Sequence, residues 1–221
     1  MTQYTNDPYG RAAVADALLQ LGTNGLNKGT SGNVSARTAG GMLITPTGIA
    51  PDQLLPEHIV HMSLTGEVDV DQLTPSSEWQ MHAAVYAAKP GVNAVVHCHS
   101  PYATILACAR KSIPSMHYMV AAAGSDGIPL ANYATFGSKE LSDANLLGLS
   151  STSACLLANH GQLTVGADLG SALKMAELVE ELAHCYWGTL AIGGAVLLDK
   201  FQMEEVLSKF QHYGQQEKPG D

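Results

Sequence analysis

Three histidines and one glutamate are the residues whose types and spacing suit chemistry in this chain. In AVVHCHS, Ala94 to Ser100, two histidines stand one residue apart at the end of an apolar run. Successive side chains on a β-strand point to opposite faces, so His97 and His99 project from one face and Cys98 from the other. Neutral imidazoles are common ligands for zinc and related cations, and a rigid strand aims two of them at one ion. A third, His160, ends CLLANHG, where another apolar run meets a glycine turn. Strand ends and loops carry functional residues disproportionately. Singly, each of these histidines also fits a hydrogen-bonded residue on a half-buried face or loop. Three at strand ends match the open, histidine-rich arrangement that holds catalytic zinc.

Glu78 lies in the first turn of a helix expected from SSEWQMHAAVYAAK, beside Ser76 and Ser77. An acidic side chain there is favourable against the helix dipole without any further role. The same turn also presents free backbone N–H groups and two hydroxyls, a cradle for an anion next to a carboxylate. A phosphate in that cradle would bring its carbon skeleton within reach of Glu78. The loops GTSGN, Gly29 to Asn33, and PTG, Pro46 to Gly48, have the same character, although neither matches a nucleotide-binding fingerprint.

The elements that must position these residues follow from patterning. Asp7 before Pro8 reads as a helix start, and that helix is expected to reach about Leu26. Short strands are expected over Asn33 to Arg37, Gly41 to Thr45 and His58 to Ser63, separated by Gly and Pro turns. The next helix starts at Ser76 or Ser77, with Ser77 and Gln80 as a capping box, and Trp79, Ala83 and Tyr86 form its apolar stripe. The histidine strand follows, then a helix from Pro101 to Arg110. Further strands are expected at His117 to Ala121, Ile128 to Ala131 and Cys155 to Ala158, with a helix from Ser138 to Leu149. Asp168 to about Ile192 carries a continuous apolar stripe, and a last helix spans Met203 to Phe210. Many short strands with peripheral helices indicate an α/β sandwich whose central sheet is largely antiparallel.

Bulk properties narrow the function. The 221 residues form one expected domain, with a mobile tail from about residue 214. With 46% hydrophobic and 14% charged residues, the surface is poor in charge, so part of it is expected to be buried between subunits. A formal net charge of -9 argues against nucleic acid, because nothing offers a basic stripe for phosphates. No apolar run is long enough to span a membrane. The polar start and the scattered Cys98, Cys108, Cys155 and Cys185 suggest reduced, buried thiols in a cytoplasmic protein.

Seven segments in order, GTSGNVS, GMLITPTGI, PSSEWQMH, AVVHCHS, IPSMHYM, YATFGSKEL and NHG, closely resemble the class II sugar-phosphate aldolases of the fuculose-phosphate aldolase type, within the aldolase and adducin-head superfamily. The resemblance implies a homotetramer of three-layer α/β/α sandwiches with a mainly antiparallel sheet. It implies Zn2+, or Mn2+ or Co2+, on His97, His99 and His160. Glu78 would be a fourth ligand in the resting site and the catalytic base once substrate is bound. Asn33, Thr47, Gly48, Ser76 and Ser77 take the phosphate-binding positions. Tyr118 takes the place of a tyrosine that reaches into a neighbouring subunit's site, a fitting acid for the alkoxide. Phe210 and Tyr213 match aromatics that close over the substrate.

The implied reaction is reversible cleavage of a ketose 1-phosphate, fuculose 1-phosphate-like, to dihydroxyacetone phosphate and an aldehyde such as lactaldehyde. A divalent ion would act as the Lewis acid that stabilises an enediolate. The other route to such a carbanion is a lysine Schiff base, but Lys89, Lys111, Lys139 and Lys200 sit in turn or helix-start contexts that read as solvated. Competing readings on this scaffold are a pentulose-phosphate 4-epimerase, a methylthioribulose-1-phosphate dehydratase and a non-catalytic adducin-like head. The epimerases carry aspartate where Glu78 stands, and the head has no need of three histidines. The tail aromatics and the loop at Ser125 and Asp126 are the expected places for tuning the aldehyde.

Overall fold

A computed structural model describes residues 7–68 and 71–210. The chain order is α1 (Pro8–Thr23), β1 (Asn33–Thr38), β2 (Gly41–Ile44), β3 (Val60–Met62), α2 (Trp79–Ala88), β4 (Ala94–Cys98), α3 (Pro101–Cys108), β5 (Leu130–Ala131), α4 (Lys139–Gly148), β6 (Ala154–Leu157), β7 (Gly161–Gly166), α5 (Leu169–Ala191) and α6 (Lys200–Phe210). The strands form one seven-stranded sheet in the order β3-β2-β1-β4-β7-β6-β5. Every pair in it is antiparallel except β5 with β6.

Alternation along the central strands builds two cores. Val34, Ala94, Val96 and Cys98 face α1 and α5, where they pack with Val14, Leu18 and Ala176. Val95, Leu163 and Val165 face the other way, with Met81, Val85 and Tyr86 of α2. A third cluster joins α3 and α5 to β6 through Leu106, Leu156 and Val179. Helices therefore cover both faces, giving the expected three-layer α/β/α sandwich with a mainly antiparallel sheet. Cys98 lies in the α1/α5 core, away from the histidines beside it.

Several local expectations need correction. α1 stops at Thr23, short of Leu26, because Gly25 takes a left-handed φ of 74° and Leu26 N donates back to Leu21 O, a Schellman ending. α2 begins at Trp79 with Glu78 at the N-cap and no side-chain capping bond, so no Ser77–Gln80 capping box forms. Glu78 N instead donates to Ser76 Oγ at 3.3 Å, and Trp79 N to Ser76 O. The Glu78 carboxylate is thereby left free of capping duty.

His117 to Ala121 is not a strand. Tyr118–Ala123 forms a 3-10 helix that Gly124 ends at φ 87°, and His117 Nδ1 accepts from Met119 N at its start. The strand expected over Ile128 to Ala131 shrinks to Leu130–Ala131, and α6 starts at Lys200 rather than Met203. β7, GQLTVG, lies beyond the expected strand set. Its polar Gln162 and Thr164 hide a wholly buried strand, since both are 0% exposed and donate to neighbours such as Ser100 Oγ and Ala172 O. Cys98 and Cys155 are buried thiols as expected, whereas Cys108 and Cys185 are free and exposed.

Candidate metal and sugar-phosphate site

The two strand histidines are fixed by the ladder that carries them. His97 pairs with Asn33 of β1 and Leu163 of β7. It is fully buried, and its Nδ1–H donates to Gln162 O at 2.8 Å. That bond commits the ring to one tautomer and leaves Nε2 bare, the way a backbone carbonyl orients a metal-binding imidazole. His99 lies just past the strand end, where its backbone N–H donates to Asn27 Oδ1 at 3.0 Å.

His160 is delivered by the short β6–β7 hairpin. Leu157 pairs with Gly161, and Asn159 adopts a left-handed φ of 54° with its side chain accepting from Arg110 Nε. Gly161 is required by packing. A Cβ there would stand 2.5 Å from Cys98 O and 3.0 Å from His99 Cδ2. One ring nitrogen from each of His97, His99 and His160 lies within 4.8 Å of the others. The ring centroids are 4.6 to 4.9 Å apart, all steeply tilted.

Glu78 closes the cluster. Its Oε2 accepts from Asn33 Nδ2 at 3.0 Å and lies 3.3 Å from His97 Nε2, and Oε1 lies 3.4 Å from His160 Nε2. Oε1 is buried yet accepts no hydrogen bond. Burial, followed by mutual repulsion with His160 and His99, holds His97 well below the usual imidazole range. Burial first, then His160, lowers His99, and burial also lowers His160 against the opposing pull of Glu78. Three neutral imidazoles around a buried carboxylate oxygen lacking a donor form a donor set that suits a divalent cation, and the residues fit such an ion.

An open pocket of ≈ 330 Å³ adjoins this cluster. His99, His160 and Glu78 line it, together with all five expected phosphate residues, Asn33, Thr47, Gly48, Ser76 and Ser77. Pro46 and Pro75 form an antiparallel bridge that sets the PTG loop against the start of α2. Ser76 N donates to Thr45 O, and Thr47 N to Thr74 O. Gly32 brings the remaining loop into place at φ 73°, where a Cβ would lie 2.1 Å from Asn27 Nδ2 and 2.7 Å from His97 O.

Other expected residues fall elsewhere. Tyr118 is 50% exposed, stacks on His117 and does not line this chain's pocket. Phe210 ends α6 half-buried, also away from the pocket lining, and Tyr213 lies outside the described residues. Ser125 and Asp126 line a separate surface cleft. Conversely, Tyr133 and Phe136 line the pocket mouth with Asn159. The signal for the two aromatics was present in YATFGSKEL, a motif that carried no role for either of them.

Comparison with known proteins agrees with this geometry. Residues 12–187 match the family described as Class II Aldolase and Adducin N-terminal domain. A 5-methylthioribulose-1-phosphate/5-deoxyribulose-1-phosphate aldolase of Rhodospirillum rubrum is 47% identical over 204 residues, covering 92% of each chain. An L-fuculose phosphate aldolase of Escherichia coli K12 is 46% identical over 202 residues, covering 91% of this chain and 94% of its own. A solved L-fuculose 1-phosphate aldolase superposes with a TM-score of 0.88 at 36% identity, over 92% of this chain and 96% of that one. With its sheet, histidine cluster and adjoining pocket, the chain belongs to the class II aldolase family.

Proposed function

We propose that the protein cleaves a ketose 1-phosphate reversibly, by a metal-dependent aldol reaction, into dihydroxyacetone phosphate and an aldehyde. The observation that carries this reading is the Glu78 carboxylate, held between the Asn33 amide and three imidazoles at the wall of a pocket whose far side is hydroxyl and glycine turn. His97, His99 and His160 would hold the ion, with Glu78 as a fourth ligand before substrate arrives. A divalent ion there supplies Lewis acidity for negative charge developing on the substrate oxygens.

The chain's own groups do the rest. Thr47, Gly48, Ser76, Ser77 and Asn33 bind the phosphate through hydroxyls, backbone N–H groups and a carboxamide, which fixes the carbon chain relative to Glu78. Glu78 then takes a proton from the carbon beside the carbonyl in the synthetic direction and returns it in cleavage. Tyr118, presented by a neighbouring subunit, gives its phenolic proton to the alkoxide of the new carbon–carbon bond and recovers it in cleavage. Phe210 and Tyr213 close over the bound substrate. These last roles need a homotetramer with sites at its interfaces. The strongly exposed Ile192, Val196 and Phe201 around the end of α5 and the start of α6 supply apolar surface for such contacts.

The aldehyde is the open variable. Fuculose 1-phosphate with its lactaldehyde product is one choice, and deoxy or methylthio pentulose 1-phosphates are the other. Both are favoured by relatives of almost equal similarity. One extra methylene in a pocket is worth only about 1 to 3 kcal/mol, so a single enzyme tolerates several aldehydes. The test is a panel of ketose 1-phosphates assayed for dihydroxyacetone phosphate release, with native, chelator-stripped and metal-reconstituted protein. Release should vanish on stripping and return with Zn2+, Mn2+ or Co2+. Full activity of the stripped protein, or a lysine adduct trapped by borohydride, would overturn the reading. Conversion of L-ribulose 5-phosphate to its 4-epimer, or loss of water from methylthioribulose 1-phosphate, would replace it with the rival chemistry.

A further inference from the structure

Behind the Glu78 carboxylate, side chains from α2 and β1 interleave in one buried polar row. Along α2, Glu78, His82 and Tyr86 recur every four residues, about 6 Å along the axis. Along β1, Asn33 and Ser35 recur every two, about 6.6 Å. The near-equal repeats let the two sets alternate. Tyr86 Oη lies 2.8 Å from Ser35 Oγ, and Ser35 Oγ lies 2.7 Å from His82 Nδ1. His82 Nε2 lies 2.6 Å from Asn33 Oδ1, and Asn33 Nδ2 lies 3.0 Å from Glu78 Oε2. None of the five is more than 7% exposed.

The direction of every bond follows from the carboxylate. The Asn33 NH2 group donates to Glu78 Oε2, so the Asn33 oxygen faces His82. His82 Nε2 therefore carries a hydrogen. Burial keeps this ring neutral, holding it at about 3 against an ordinary 6.5, so Nδ1 is bare and accepts from the Ser35 hydroxyl. With its hydrogen so used, Ser35 accepts from the Tyr86 hydroxyl, whose loss of a proton is opposed by burial. Arg37, next on the same strand face, donates to Tyr86 O and lies over the phenol ring, anchoring the far end.

We propose that His82 is a positioning residue for the proton transfer assigned above to Glu78. Its Nε2–H locks the Asn33 carboxamide with N–H toward the carboxylate, which leaves Glu78 Oε1 facing the histidines. The row conveys orientation and not protons, because the carboxamide of Asn33 interrupts any hydroxyl–imidazole proton path. Without His82 the carboxamide is held from the Glu78 side alone, and its oxygen, lacking a donor, lets the group swing out of register with the carboxylate. Asn33 also lines the phosphate side of the pocket, so one side chain ties base and phosphate cradle together.

The inference rests on Glu78 acting as the base, and its test separates the two ideas. In 15N-histidine-labelled metal-loaded protein, the resonances that vanish in His82→Gln should show a pyrrole-type Nε2 and a pyridine-type Nδ1, a readout independent of catalysis. His82→Leu should keep stoichiometric metal and raise KM by only about five-fold, the scale of one lost hydrogen bond to the phosphate, while kcat falls about a hundredfold, the scale of a small misplacement at the reacting centre. His82→Gln, which offers an N–H to Asn33 and an oxygen to Ser35, should recover about tenfold of that loss. Should the leucine variant not fold, Ser35→Ala keeps His82 in place with Asn33 still accepting from Nε2–H, so it should retain the single Nε2–H tautomer and a kcat within a few-fold of wild type. An Nδ1–H or doubly protonated His82 in the wild type would overturn the inference. So would a leucine variant with wild-type kcat, a glutamine variant no better than leucine, or a Ser35→Ala protein whose His82 carries its hydrogen on Nδ1. If Glu78→Gln retains full proton exchange, the functional reading fails whatever the His82 data show.

Discussion

The two ends of the pocket are built in opposite ways. At the metal end Glu78, Asn33 and His97 are 7%, 4% and 0% exposed, and each is held by a strand ladder or a helix start. At the mouth Tyr133 and Phe136 are 56% and 65% exposed on the segment between β5 and α4. A change at the first end disturbs the sheet and the carboxylate together. A change at the second touches exposed side chains of the pocket lining and leaves the buried row in place. The proposed chemistry is thus tied to the core, and the aromatics of the pocket lining stand at the surface.

The sharpest way to break this contrast is to remove a residue from the metal end. His160→Ala should cost several kcal/mol of charge stabilisation, roughly a thousandfold or more in cleavage rate, and should lower bound metal measured after gel filtration. Next comes Gly32→Ala. A side chain at its left-handed backbone meets Asn27 and the His97 carbonyl. Stability measured by urea unfolding should fall by about 3 kcal/mol, with loss of phosphate affinity because the Asn33 loop moves.

The mouth should respond differently. Phe136→Ala should leave metal content and proton exchange on dihydroxyacetone phosphate intact. It should change the ratio of kcat/KM between short and methylthio aldehydes by about 10- to 200-fold, as expected for apolar pocket contacts. An equal loss for all aldehydes together with lost metal would erase the distinction between the ends.

The smallest effect concerns pH. Folding lowers His82 from 6.5 to about 3, so between those values the unfolded chain binds a proton that the folded chain refuses. Its contribution is complete above pH 6.5 and drains away as pH falls toward 3, at about 1.4 kcal/mol per unit. Around His82 stand Ser35 and Asn33, with His97 and Glu78 nearby, and His97 titrates in the same direction. Urea unfolding of metal-free protein between pH 7 and 5 should therefore show a shallower slope in His82→Gln than in wild type, by about one proton.

The same contrast explains what could be read from the sequence. The metal end was legible because its spacing is mechanical. H-x-H at a strand end puts both rings on one side and NHG turns, whereas SSE leads into a helix that starts only at Trp79, without the expected capping box. The three-layer sandwich followed from the order of apolar runs and the motif resemblance. β7 escaped because its buried glutamine and threonine find their acceptors, Ser100 Oγ and the Ala172 carbonyl of α5, only once the chain has folded. The run HYMVA, His117 to Ala121, reads as a strand, but Tyr118–Ala123 closes at Gly124 as a 3-10 helix. His82 was hidden for a related reason. In SSEWQMHAAVYAAK the apolar stripe draws attention, while the Glu78, His82, Tyr86 repeat acquires meaning only beside Asn33 and Ser35 of a distant strand.

On the proposed mechanism the buried Glu78 carboxylate moves the proton. Exchange of a substrate hydrogen of dihydroxyacetone phosphate with solvent, followed by NMR in D2O for Glu78→Gln and wild type at equal metal loading, tests it most directly. Metal should be retained and exchange slowed by about 10² to 10⁴, the range for losing a positioned base. Exchange at the wild-type rate in a metal-loaded Glu78→Gln protein would contradict it.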